Sequence, residues 1–174
     1  MSNPVVTNSS SSLNGKTLLT KQGLAANQPR CIVSRSLSVQ SITDGLVTPV
    51  PIVFDTAVVN IGAMFVIGTP DRITIIESGF YLVIGSIAYA DNATGLRYCY
   101  LSVNATYDLP QTIVHAFAGD FNCLQSQTVY QFSATDFIQL QALQNSGGAL
   151  DTSSVASPAN ELTYVNSLMV VKLF

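Results

Sequence analysis

The sequence predicts an all-β sandwich or barrel that is preceded by an extended N-terminal arm. Short apolar runs are separated by Gly, Asn, Asp and Pro, and no stretch of ten or more residues has a helical apolar stripe. The 174 residues have room for one domain with a normal core. Charged residues make up only 10% of the chain, against about 25% in typical soluble domains. This shortage indicates a surface that partners cover to a large extent.

The first unit, residues 1–36, is interpreted as a partner-anchoring arm. It is rich in Ser, Asn and Thr and has too little apolar surface to offset its own chain entropy, roughly 1–2 kcal/mol per residue. It carries four basic residues and no acidic one, whereas the rest of the chain carries three basic and ten acidic residues. A basic arm on an acidic body is expected to dock on a negative partner, although a fluctuation of small numbers is the alternative. The residues expected to anchor the arm are Lys16, Leu18, Leu19, Lys21, Arg30 and Arg35.

The second unit, residues 37–174, is predicted to form the body. Strands are expected over 50–56, 71–78, 79–90, 96–105, 112–119, 122–133, 136–148 and 161–174. The run "GFYLVIGSIAYA" (79–90) is apolar on both alternating sets of side chains, and such a strand is normally covered on both faces.

The three cysteines predict neither a zinc site nor a disulfide framework, because their number is odd and no C-x-x-C spacing occurs. Cys99 and Cys123 lie in apolar runs and are expected to be buried thiols. This usage favours synthesis in a reducing compartment. The start of the chain does not resemble a secretion signal, and the longest apolar run, 11 residues, is too short to span a bilayer.

The sequence predicts no enzyme, no metal site and no cofactor. Its one histidine, His115, lies in the apolar run "IVHAFAG", where a packed or surface role is the ordinary one. No Ser/His/Asp arrangement has a supporting motif, and no D-x-D-x-D-G calcium loop occurs. Seven basic residues on an acidic chain do not predict nucleic-acid binding.

Several spaced residues over roughly 37–174 resemble a known family, the jelly rolls related to the complement globular head and tumour necrosis factor. The resemblance lies in the run "ITIIESGFYLVIGSIAYADNATGLRYCYLSVN", and it continues in "SATDFIQLQALQNSGGALD" and the closing "SLMVVKLF". An earlier stretch, "VFDTAVVNIGAMF", is similar to the family's first strands. The matched positions are Arg72, Ile73, Thr74, Ile75, Gly79, Tyr81, Asn92, Gly95, Arg97, Asn104, Asp136, Asn145, Ser146, Gly147 and Gly148.

Two positions depart from the family pattern. Asn60 stands where the pattern has an aspartate, and Thr135 stands where it has a glycine before Asp136. The second departure leaves the type of turn open.

The resemblance implies a single jelly-roll sandwich of about eight to ten strands that assembles as a homotrimer. One face of the doubly apolar strands would fill the core, and the other would meet two neighbours. The residues expected at the trimer interface are Tyr98, Tyr100, Tyr164, Leu168 and Phe174, with an ordinary core position as the alternative for each.

The version of the family that has "NATG-x-R" and "QNSGG" together is associated with bacteriophage structural proteins. The leading hypothesis is a capsid decoration (cement) protein, synthesised in the host bacterial cytoplasm and located on the capsid exterior. Its partner would be the major capsid protein, with no nucleic acid and no membrane involved. The alternative is a tail-fibre tip or head fibre that binds host-surface glycans through residues 106–112 and 149–160. A secreted ligand or an enzyme is disfavoured.

Overall fold

The chain folds as two antiparallel sheets that face each other across one hydrophobic core. The computed structural model describes residues 28–106, 109–153 and 166–174, together with the backbone of residues 12–13 and 16–17. These residues contain no helix, as the sequence predicted.

The first sheet has five strands in the order β11–β8–β14–β3–β6, and every pair is antiparallel. Numbered in chain order, they are β3 (Arg30–Arg35), β6 (Thr56–Ile61), β8 (Gly79–Tyr89), β11 (Asn122–Phe132) and β14 (Asn166–Lys172). The strand β8, as long as β11 at 11 residues, is the one that the sequence predicted from its doubly apolar pattern.

The second sheet has four strands in the order β10–β9–β12–β7. They are β7 (Ile73–Thr74), β9 (Leu96–Val103), β10 (Gln111–His115) and β12 (Phe137–Gln144). Two short pairs stand apart: β4 (Ser41–Ile42) with β13 (Leu150–Asp151), and β1 (Ser12–Leu13) with β2 (Lys16–Thr17). A further strand, β5 (Gly45–Pro51), runs beside β12, where the N–H of Ile52 donates to the carbonyl of Leu140 at 2.8 Å.

The core lies between the two sheets and takes alternate residues of each strand. From β8 it takes Tyr81, Val83 and Ile87, each at most 1% exposed. Gly85 lies on the same face, and a Cβ atom there would come within 2.6 Å of the Leu140 side chain. The glycine therefore leaves room for the Leu140 and Leu101 side chains of the facing sheet.

The last part of the predicted arm belongs to the body. Residues 30–35, expected in the arm, form β3 between β14 and β6, and both Cys31 and Val33 are fully buried. The boundary predicted at residue 36 is therefore too late, and the body includes Arg30. The preceding part of the predicted arm lies mostly outside the described residues, and its role stays a prediction.

Two smaller predictions also need correction. Residues 52–55, expected in a strand, have no regular structure, although Ile52 and Phe54 fill the core. The prediction that Cys99 is buried is confirmed, whereas Cys123 is exposed because it points away from the core on the edge strand β11.

Candidate assembly interface

The candidate site is the face of the five-stranded sheet that turns away from the core, which we call the outer apolar face. The strand registers place side chains on this face in rows that cross the sheet. Read from β11 to β6, the two apolar rows are Val129–Leu82–Val171–Arg30–Ile61 and Gln127–Ile84–Met169–Ile32–Val59. Eight of these ten side chains are aliphatic or Met, so the face is a continuous apolar surface.

The outer apolar face remains partly open in the single chain. Val129 is 54% exposed, and the aliphatic residues of the inner strands are half-buried. Arg30 is the only charged residue within the two rows. The next row, towards the other end of the strands, is polar and reads Gln125–Ser86–Ser167–Ser34–Thr56. An apolar surface with a polar border is typical of a protein–protein contact.

The apolar surface continues to the C-terminus. The rings of Phe80 and Phe174 lie 5.0 Å apart, and the backbone N–H of Phe80 donates to the Phe174 carbonyl. Phe174 is 75% exposed. The last residue of the chain is therefore fixed beside β8 while most of its side chain remains open.

The structure separates the residues predicted at the trimer interface. Leu168 is fully buried between the two sheets, so its prediction is wrong: in β14 the alternate residues Met169 and Val171 occupy the outer face. Phe174 borders that face. Tyr164 lies outside the described residues.

The two remaining predicted interface residues, Tyr98 and Tyr100, belong to the other sheet. Their rings stack at 5.6 Å on the side of β9 that turns away from the core. The sequence placed them together with Phe174 because it did not reveal which sheet each apolar strand would join.

The arm residues that the structure describes belong to the body. The Arg35 guanidinium donates to the carbonyls of Val53 and Val39 and to the Ser38 hydroxyl, so it fixes the segment that follows β3. Its predicted role as an anchor on another protein stays a prediction. Arg30 lies on the outer apolar face. Of Lys16 only the backbone is described, and Leu18, Leu19 and Lys21 lie outside the described residues.

The motif residues that suggested the family hold turns. A Cβ atom on Gly95 would come within 2.1 Å of the Asn145 carbonyl oxygen, and its φ of +81° favours glycine. The buried Arg97 donates to the carbonyls of Asn92 and Thr94 at 2.9 Å each. The Asn145 side chain accepts from the N–H of Leu96. These residues fix one end of the sandwich.

The two departures from the family pattern have different consequences. The Asn60 amide donates to the Phe65 carbonyl and accepts from the Phe65 N–H, and an ionised aspartate could make only the second bond. Thr135 has a φ of +78°, a conformation that glycine adopts without strain and a β-branched residue does not. The backbone thus keeps the turn of the pattern although the side chain opposes it.

The described residues do not assemble a reactive centre. Burial raises the pKa of the Cys31 and Cys99 thiols to about 12, so both are protonated near neutral pH. His115 is exposed on the edge strand β10. No three metal-binding side chains converge within 28–106, 109–153 and 166–174. In the same ranges no helix is long and apolar enough to cross a membrane.

Comparison with known proteins identifies the fold. No protein-family model and no curated protein matches the sequence. Among solved structures, murine APRIL at pH 5.0 superposes with a TM-score of 0.59 and 16% identity, covering 84% of this chain and 99% of that one. The tumour necrosis factor protein Eiger from S. frugiperda gives 0.60 and 14%, covering 85% and 94%. The globular domain of zebrafish complement 1qA gives 0.54 and 11%, covering 84% and 97%.

These likenesses confirm the predicted fold, an all-β jelly-roll sandwich of the kind found in tumour necrosis factor and complement heads. The nine strands of its two sheets fall within the predicted range.

Proposed function

We propose that the chain is a structural protein of a bacteriophage particle, a homotrimeric decoration protein on the capsid exterior. The main support for the trimer is the outer apolar face, in which Arg30 is the only charged residue of the two apolar rows. Three copies around a threefold axis would bury this face in a closed ring, and a closed ring leaves no free apolar surface for further growth.

The decoration role rests on the composition and on the predicted arm. A chain with only 10% charged residues is expected to be covered by partners over much of its surface. Residues 1–27, fully extended, would reach about 90 Å, far enough to leave one trimer and cross neighbouring coat subunits. The resemblance of "NATG-x-R" and "QNSGG" to phage structural proteins supports the same role.

Two measurements test the proposal. Light scattering of the purified chain is expected to give about three times 18.5 kDa, the mass of one chain. Quantitative mass spectrometry of purified particles is expected to give about one copy per major coat subunit. A monomer at micromolar concentration would contradict the trimer.

The copy number also distinguishes the second candidate, a receptor-binding fibre tip. The rigid polar turns around Asn92 and Asn145 are the observation that favours it, because such turns can present fixed polar groups to a ligand. A few copies per particle would support the fibre and contradict the decoration role.

A further inference from the structure

The strands of the sandwich end in two unlike surfaces. The base is formed by residues 28–30, 76–80, 133–136 and 172–174, and the crown by residues 35–44, 55, 91–97, 116–121 and 144–153. We propose that the base is the docking surface for the coat protein and that the crown points away from the shell. This orientation rests on the proposed function.

The first argument is the point where the N-terminal segment joins the body. The Gln28 side-chain amide donates to the carbonyls of Lys172 and Leu173, and the N–H of Lys172 donates to the Pro29 carbonyl at 2.9 Å. Residue 28 is therefore fixed against the last strand, at the base. Any segment that precedes it starts from this end, and an anchor attached there holds the base towards its partner.

The second argument is electrostatic. The crown has five aspartates and two arginines, a net charge of −3: Asp44, Asp55, Asp91, Asp120, Asp151, Arg35 and Arg97. Both arginines already donate to backbone carbonyls within the crown. Among the described residues of the base, Arg30 and Lys172 balance Glu77 and Asp136, and Lys172 pairs with Glu77 at 2.8 Å.

The difference in charge between the crown and the base indicates which of the two would meet the partner. Residues 1–27 carry two basic residues, Lys16 and Lys21, and no acidic one, so the surface that attracts them is acidic. An acidic coat surface would repel the acidic crown, whereas it would exert no net electrostatic repulsion on the neutral base.

The third argument is the apolar side chains of the base. Phe174 is 75% exposed, and Leu173 and Ile76 are each 39% exposed. The crown also exposes Leu37 and Phe117, so apolarity alone does not separate the two ends. At the base, however, the exposed side chains adjoin the outer apolar face through Phe80. The partner that fits is therefore an apolar coat surface with an acidic border.

Thiol labelling on the assembled particle tests the orientation. In a Cys123→Ser background, single cysteines replace exposed residues at the crown (Thr94→Cys, Ala118→Cys) and at the base (Ala134→Cys, Phe174→Cys). Cys31 and Cys99 are buried and do not interfere. The probe is a maleimide-linked polyethylene glycol, detected as a gel shift, applied to the free protein and to purified particles that carry each variant.

We expect all four cysteines to react in the free protein. On the particle, the base cysteines should react at least roughly tenfold more slowly, because they become accessible only when the contact opens. The crown cysteines should react at the same rate as in the free protein. Protection of the crown, or equal rates at both ends, would overturn the orientation and leave the decoration role intact. Absence of the chain from the particles would overturn both.

Discussion

The two faces of the sandwich that turn away from the core differ in how completely a single chain buries their side chains. On the four-stranded sheet, Ser102, Gln139 and Gln141 are at most 4% exposed, and the two glutamines bond to each other, to Ser102 and to Asp71. On the five-stranded sheet, the outer apolar face has no such network and remains half-open. On the first face these three polar side chains are buried within one chain, and of their side-chain atoms only Gln141 Oε1 is buried without a hydrogen-bond partner. The second face would gain further burial from another copy in the proposed trimer.

This difference predicts the largest effect for a charge on the outer apolar face. Ile84→Glu is expected to convert the trimer into a monomer, because an unpaired carboxylate in an apolar contact costs about 3–5 kcal/mol. The monomer should keep its fold, since Ile84 is half-open in the single chain. Light scattering and circular dichroism measure the two properties.

The matched control is Ile113→Glu. Ile113 is 46% exposed and lies beside Tyr98 on the opposite outward face, so the same change there should leave the trimer intact. If Ile113→Glu dissociated the trimer and Ile84→Glu did not, the trimer contact would lie on the four-stranded sheet and not on the outer apolar face.

The polar network of the four-stranded sheet should contribute to stability and not to assembly. Gln139→Ala removes the donor that lies 2.6 Å from the Asp71 carboxylate and the acceptor for Gln141. We expect a loss of about 1–3 kcal/mol in the free energy of unfolding, with the trimer mass unchanged at protein concentrations that keep the chain folded. If Gln139→Ala instead lowered the mass of the assembly and left the free energy of unfolding unchanged, the polar network would contribute to assembly and not to stability.

Thr135, which belongs to neither face, offers a change that should stabilise the chain. Thr135→Gly removes the strain of a β-branched residue at positive φ, and we expect a net gain of about 0.5–1 kcal/mol after the added chain entropy of glycine is subtracted. Thermal unfolding measures it. The control, Ser133→Gly in the same turn, lacks this strain and should destabilise.

The sequence predicted the strands well and the faces poorly, for physical reasons. Alternation located β9 and β12, because each has one regular apolar set that fills the core, and β8 was located as a long run that is apolar on both sets. In β14 both sets are apolar, so alternation could not decide whether Leu168 or Met169 faces inward. The sequence did not predict the strand β3, because "RCIVSR" is short and follows a polar segment.

The candidate site depends on which strands are neighbours, and a single sequence does not contain this information in readable form. Tyr98 and Leu82 both lie in apolar strands, yet they belong to different sheets. By contrast, the turn residues Gly95 and Asn145 were found early, because a turn depends on a few residues that are close in sequence.

Acid should weaken the four-stranded sheet before it affects the outer apolar face. Partial burial tends to raise the pKa of the Asp71 carboxyl, but the hydrogen bonds and charge of Arg72 and the Gln139 bond outweigh this, so its pKa is lowered. The stabilisation is complete above the unfolded value of about 3.9 and is lost as the pH falls through the folded pKa. Denaturant unfolding at several pH values should show a loss below about pH 4 that Asp71→Asn reduces.

The smallest expected effect concerns the border of the outer apolar face. Cys123 is exposed and pairs with Ala88 in a row beyond the polar row of Ser86, so we place it outside the trimer contact. Burial and Asp120 raise its pKa, yet it should be the only one of the three native thiols that reacts with a disulfide reagent in the folded protein. Its rate should be the same in the wild-type trimer and in the Ile84→Glu monomer. A slower rate in the trimer would mean that the contact crosses the polar row, and that serines as well as aliphatic side chains meet the neighbouring copy.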